Sequence, residues 1–351
     1  MTLSRRTKTA SFITLVFGAA LVLGAEKPPS QPAAPAKETP PAAKLKLTGP
    51  YTHENLTIFL IHGEDKLKGK TFLTLGEALK EKKAVVHETQ QVNELSIENL
   101  CPNEEVFVLA GDIVRGGKQD RIIANDVIVP AKSGKMPIAS FCVERGRWTR
   151  RGSENEAAFA VSANNSGTKD LKLAVRKEMA QGKVWENVNK AQAALSANVS
   201  APVRDARSAT SLELTLENKK VQEATDAYLK KLQPVLDGQN DVVGYAFAIN
   251  GVINSADVFA SHSLFQKLWP TLLKSTAVEA VAEMKKDHKF KPVTVEAVTA
   301  FLADAEKGKQ SAKDVTKRVH CIEQETKGNL LYRCTDDQHP GVDLRRNYLK
   351  K

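Results

Sequence analysis

Several common catalytic signatures are missing from this sequence. It contains no G-x-S-x-G elbow, which excludes a serine hydrolase of the usual kind. The seven histidines, His53, His62, His87, His262, His288, His320 and His339, show no close ligand spacing. His87-Glu88 opens like a zinc-protease motif, but no histidine follows where the second ligand belongs, so a usual zinc enzyme is unsupported. Gly63 to Thr71 follows a strand candidate and resembles a phosphate-binding loop. Five residues separate Gly63 from Gly69, one more than lets the N–H groups close around phosphate, and the segment reads as a surface turn. The apolar run Ala10 to Leu23 is shorter than the roughly 20 residues that span a bilayer comfortably. No cysteine follows it, which argues against a lipoprotein anchor.

What is present at the N-terminus points to export. Arg5, Arg6 and Lys8 form a basic region before the apolar run, and small residues follow at Gly24 and Ala25. Residues 1–25 therefore read as a signal peptide, with a periplasmic or cell-envelope location if the source is bacterial. The alternative is an uncleaved N-terminal anchor, the one case in which a membrane is a partner. Arg5-Arg6 resembles a twin-arginine signal, but Lys8 stands where an apolar residue is expected. Residues 26–44 carry six prolines and read as a disordered, extended linker. It is either a spacer or a plain tail after cleavage. The formal charge is +10, of which Arg5, Arg6 and Lys8 hold three, leaving +7. That modest excess favours anionic partners weakly and does not argue for nucleic-acid binding.

The folded part begins near Leu45. Thr57–Ile61, Ala84–Thr89, Glu105–Leu109, Arg121–Val129 and Pro137–Val143 read as strands separated by turns. Thr74 and Glu77 form a capping-box pattern that starts a short helix. Leu171–Leu195 reads as helical, with a break at Gly182. Leu212, Leu214 and Leu216 alternate like a strand. Val221, Ala224, Tyr228 and Leu232 form one buried helical stripe that Pro234 ends. Val242–Phe259 is a hairpin about Asn250-Gly251, the pair a type I′ turn prefers. Helices follow at 264–284 and 293–305. The order of elements predicts an α+β fold, mainly antiparallel sheet with flanking helices, in a single large domain over 45–310. Residues 311–351 read as a C-terminal hairpin and tail.

Of the four cysteines, Cys321 and Cys334 flank a second hairpin signal at Lys327-Gly328. If those two residues form the loop, Thr326 and Asn329 close it, and Cys321 falls opposite Cys334 at a non-hydrogen-bonded pair. The Cα atoms there lie roughly 4.5 Å apart, within disulfide range, so a Cys321–Cys334 bridge is expected in an oxidising compartment. Cys101 and Cys142 either bridge or stay free. A buried free thiol acting as a small hydrophobe is the favoured reading.

The stretch with the most chemistry runs from Gly111 to Gly152. Gly116-Gly117 allows a backbone whose N–H groups point at an anion. Lys118, Gln119, Arg121 and Arg147 could hold phosphate or carboxylate, and Trp148 could stack on a planar group. Asp112 and Glu144 form a candidate acid/base pair. Cys142 is a candidate nucleophile, given a thiol pKa lowered by Arg145 and Arg147. The plain alternative is a glycine turn with solvated or paired charges.

This stretch also resembles a known family. Gly111-Asp112, Gly116 to Arg121, the strand ending at Pro130, Cys142 to Glu144 and Gly146 to Trp148 carry the likeness. Val243-Gly244, Ile249 to Gly251, Ser255 to Phe259, Leu264-Phe265 and Leu268 to Pro270 add to it. Together they are similar to the ADP-ribosylglycohydrolase and rhodanese-phosphatase-superfamily-associated domain, over about 55–284. The resemblance implies a link to ADP-ribose or phosphate-ester metabolism and names no reaction and no cofactor. Three functions follow as expectations. The first is binding of a small phosphate- or ADP-ribose-like anion. The second is a hydrolase or transferase on such a ligand, with Glu144 or Asp112 as acid/base. The third is a cell-envelope scaffold.

Overall fold

The apolar run around Phe59 lies inside an eight-stranded sheet, as a computed structural model of the chain shows. The model describes residues 45–165, 168–286 and 288–351. The expected signal (1–25) and linker (26–44) lie outside the described residues. The chain starts with strands β1 (Lys46–His53), β2 (Leu56–His62) and β3 (Phe72–Thr74), then helix α1 (Leu75–Lys80). Next come β4 (Ala84–Glu88), β5 (Glu94–Asn99), β6 (Glu105–Val108), β7 (Asp112–Gly116), β8 (Arg121–Ile123), β9 (Val127–Val129), β10 (Met136–Cys142) and β11 (Phe159–Asn165). The helical section holds α2 (Lys169–Leu173), α3 (Gln181–Asn198), α4 (Leu212–Leu216) and α5 (Lys219–Leu232). The hairpin β12 (Val242–Ile249) and β13 (Val252–Phe259) follows, then α6 (His262–Ala282) and α7 (Val295–Ala305). Four strands finish the chain: β14 (Lys309–Asp314), β15 (Val319–Glu325), β16 (Asn329–Asp336) and β17 (Asp343–Lys350).

The large sheet runs β1-β2-β12-β13-β17-β16-β15-β14, a six-stranded sheet runs β11-β7-β8-β10-β5-β4, and β3-β6-β9 form a third. Every named pairing is antiparallel except β3 with β6. The α+β expectation holds. Both faces of the large sheet are covered. Leu56, Ile58 and Leu60 pack in the same core as α6, while Phe59 and Ile61 pack with Phe301 and Leu302 of α7. Burial on both faces explains why β2 is a continuous apolar run instead of an alternating one.

Local signals placed several elements correctly. The Thr74 capping box is formed. Asn250 and Gly251 both take positive φ, at 53° and 71°, in the β12–β13 turn. Asn218 caps α5, and Val221, Tyr228 and Leu232 are buried along it. Three expectations need correction. Leu212–Leu216 is the helix α4, capped by Ser211 and buried at all five positions, so its leucine alternation carries no strand information. The strand expected over Arg121–Val129 is two strands, β8 and β9, in different sheets. The helical break falls at Met179, in the left-handed region at φ 48°, and not at Gly182.

Residues 311–351 are no appendage. β15, β16 and β17 pair in sequence, and β17 joins them to β13. Cys321 sits opposite Cys334, as the hairpin count predicts. The expected bridge is nevertheless absent: all four cysteines are free thiols. Burial raises the pKa of both Cys321 and Cys334, which disfavours the thiolate, the form that reacts.

Candidate functional site

Gly116 to Arg121 joins β7 to β8 as a tight turn. Gly116 and Gly117 have φ of 116° and 53°. A Cβ on Gly117 would lie 2.4 Å from Phe159 Cζ and 2.9 Å from Glu88 Oε2, so only glycine fits. The N–H groups of this turn do converge on anions, but the anions are the protein's own. Gly116 N–H donates to Asp120 Oδ1 (3.0 Å), Lys118 N–H to Glu88 Oε2 (3.2 Å) and Asp120 N–H to Glu144 Oε2 (3.1 Å). Gln119 is buried and donates to the Glu144 carbonyl at 2.7 Å.

The segment after β10 supplies the counter-charges. Arg147 grips Glu144 with two nitrogens, each at 2.7 Å from a carboxylate oxygen. Arg151 grips Asp120 the same way, at 2.9 and 3.1 Å, and reaches Glu144 and Glu154 as well. Arg115 pairs with Glu154 and Glu217. Arg121 is fully buried, donates to the Gln119 carbonyl at 3.0 Å and lies 3.5 Å from Glu88, while its Nε has no partner. Bidentate pairing is what lets so many charges sit out of water. It also separates the two innermost acids. Burial, then the charge of Glu144, pushes Asp120 up. Burial acts the same way on Glu144, yet the Arg147 fork holds it below its usual range.

Two candidate catalytic residues do not join this cluster. Asp112 begins β7 and Gly116 ends it, so they lie about 13 Å apart at the usual strand rise. Asp112 accepts from the Leu109 N–H and the Asn165 amide, both at 3.0 Å, and burial lifts its carboxyl to about 7. The Asp112–Glu144 acid/base pair is therefore not assembled. Cys142 is buried, its Sγ 3.8 Å from the Val92 carbonyl, and burial pushes the thiol up to about 11. Arg145 sits over the Trp185 ring instead of beside the thiol. Cys142 is no activated nucleophile.

Lys118 and Trp148 do face outward. The indole is 41% exposed, with Lys118 Nζ and the Arg121 guanidinium 5.3 and 5.8 Å from its ring centroid. The chain on either side of Trp148, at Arg147 and Thr149, lines a cleft of about 520 Å3 together with Arg115, Arg150, Arg151 and Arg207, with Glu154 the one acid among its described lining residues. Arg207 is paired with Asp205 at 2.8 Å. Arg150 is exposed and makes no ion pair among the described residues. Sequence reasoning passed over Arg115, Arg150, Arg151, Glu88 and Glu154 as site residues. The Arg150-Arg151 doublet after Trp148 was the available signal. Among the described residues no group of three or more His, Cys, Asp or Glu side chains is arranged to hold a metal ion. Nor is any helix among them long and apolar enough to cross a membrane.

Fold and site together define an α+β protein built on a buried arginine–carboxylate network beneath an arginine-lined cleft. The chain belongs to the ARG and Rhodanese-Phosphatase-superfamily-associated Protein domain family, whose model matches residues 44–338. The match extends beyond the 55–284 expected and takes in β14 to β16, so the cysteine hairpin is part of the family domain. No curated protein and no solved structure matches the chain.

Proposed function

We propose that the protein binds a small anionic, phosphate- or ADP-ribose-like ligand in the arginine-lined cleft. The observation that carries this reading is exposed Arg150, which makes no ion pair among the described residues, set among four further arginines and one acid of the described lining. The guanidinium groups beneath are already balanced by carboxylates. An incoming anion therefore gains chiefly from Arg150 and from donors fixed in direction, not from a large net field. Trp148 and Lys118 pack on each other outside the cleft lining and carry no part of this reading. The ADP-ribose element comes from the family's name alone.

The enzymatic alternative has one motivation left, the opposed shifts of Asp120 and Glu144, since such pairs often divide acid and base roles. Both are fully buried and neither lines the cleft, so binding is the better supported reading. Export remains part of the proposal on the strength of residues 1–25, and N-terminal sequencing of the secreted or periplasmic chain tests it.

A thermal-shift screen with ADP-ribose, NAD, nucleotides and sugar phosphates tests the ligand. A ligand at one hundred times its Kd adds about 2.7 kcal/mol. The shift should vanish in Arg150→Ala while the unliganded melting point stays put. No shift with any compound would move the weight to the scaffold reading.

A further inference from the structure

A second and larger cavity, of about 1000 Å3, shares no lining residue with the arginine cleft. Its walls come from the β1–β2 turn, α5, the end of α6 and the segment leading to α7. The end of α6 is held unusually firmly. Asn55 donates to the Ala280 carbonyl, Asn198 to those of Val281 and Ala282, and Asn250 to that of Glu283, all at 2.8 to 2.9 Å. Three side chains from three elements thus satisfy carbonyls that a helix end leaves open. The segment beyond is packed onto the β12–β13 turn. A Cβ on Gly251 would lie 2.6 Å from the Lys291 carbonyl, so that close approach depends on glycine. The cavity is built, not a gap between loose loops.

Its lining has two characters. Rings stand on two sides: His53 meets Tyr228 edge-on at 5.0 Å, and His288 stacks with Phe290 at 6.4 Å. Tyr228 is buried, its hydroxyl donating to Asn55 at 2.7 Å, so on that side the half-buried His53 ring is the face open to a ligand. Ala224, Ala227, Val281 and Met284 add apolar surface. The rim carries Lys285, Lys286, Lys289 and Lys291, all exposed and without an ion pair among the described residues, against Glu54 as the one acid among the described lining residues. Lysine acts as a point charge and selects negative charge without demanding a planar fork. The volume suits a small organic molecule.

We propose that this cavity binds a planar aromatic anion, its ring against the His53 and Phe290 sides and its sulfonate, carboxylate or phosphate at the lysine rim. The full chain is titrated calorimetrically with naphthalene-2-sulfonate, with neutral naphthalene-2-sulfonamide and with inorganic sulfate. The sulfonate should bind, and the other two should bind at least about tenfold more weakly, a difference of about 1.4 kcal/mol. Ala227→Phe, on the exposed side of α5, fills the cavity without touching the core and should abolish binding. Lys285→Ala/Lys289→Ala should weaken it about tenfold. Absence of sulfonate binding, equal binding of sulfate, or binding unchanged in Ala227→Phe would overturn the proposal. So would binding that Arg150→Ala removes and Ala227→Phe does not, because the ligand would then sit at the arginine cleft.

Discussion

Beneath the arginine cleft, Arg147 and Arg151 are nearly buried, and each grips a carboxylate with both arms of its fork. Around the larger cavity, Lys285, Lys286, Lys289 and Lys291 reach into solvent with no ion pair among the described residues. Both regions are rich in basic residues. The guanidinium fork matches a carboxylate and tolerates loss of water, while the lysine ammonium stays strongly hydrated. Arg147 and Arg151 are committed to holding the chain together, whereas exposed Arg150 and the lysines are left available. A basic motif therefore announces a ligand site only when its charge is not already answered from within.

Equal substitutions should separate the two regions most sharply. Arg151→Ala removes a countercharge from Asp120 and Glu144 and should cost about 3–5 kcal/mol in urea unfolding. Lys289→Ala should stay within about 0.5 kcal/mol. Similar costs at both positions would dissolve the distinction. Next in size is Glu213, a buried acid in α4 bound to Ser162 and Asn164, with no salt bridge among the described residues. Burial lifts it to about 7, whereas Arg147 holds Glu144 low. The signs are opposite. Glu213 favours the folded state fully below its unfolded pKa, and that contribution is lost as pH rises through about 7. Glu144 contributes above its unfolded pKa, and its contribution is lost as pH falls through the lowered value. Glu213→Gln should therefore flatten the loss of stability between about pH 4.5 and 7, by on the order of 3 kcal/mol. An unchanged pH slope would show that Glu213 is not held protonated.

A smaller effect concerns the glycine turn. Gly117→Ala should cost about 1–3 kcal/mol, because the added methyl overlaps Phe159. Gly146 also has positive φ but has open space around it, so Gly146→Ala there should cost less. Urea midpoints of the two variants compare crowding with backbone strain alone. Smallest of all is salt. Raising ionic strength should leave the buried pairs almost unmoved while weakening naphthalene-2-sulfonate binding at the lysine rim a few-fold. Equal salt sensitivity of stability and binding would contradict that order.

Local chemistry was readable from the sequence wherever one turn or cap decides the outcome. Asn250-Gly251, Thr74 with Glu77 and Lys327-Gly328 each specify their own geometry and did so. Alternation misled at Leu212–Leu216 because a helix buried all round has no polar face to reveal its period. β7 and β11 were missed among others: β7 carries Asp112 and Arg115, and β11 runs through small and polar residues, so neither shows a clean apolar alternation. For the site, the Gly116–Arg121 turn and the Cys142–Trp148 segment do come together. What no local pattern shows is that Glu88, from β4, and Asp120 fill the N–H groups of that turn. The Glu144–Arg147 pair is only three residues apart, yet in the sequence the arginine reads as free for a ligand, and the structure shows it already engaged. The lysine run at 285–291 is equally plain, but its seat over Tyr228 and Asn55 depends on contacts from α5 and the β1–β2 turn.

The most direct test of committed charge is a double-mutant cycle on Glu144 and Arg147, read by urea unfolding of wild type, Glu144→Gln, Arg147→Met and the double variant. Each single change removes the other group's closest counter-charge, so the double variant should be no less stable than the worse single. The coupling should be about 1–3 kcal/mol. Additive losses would mean that Arg147 is not held by Glu144, and would return it to the pool of residues free to grip a ligand.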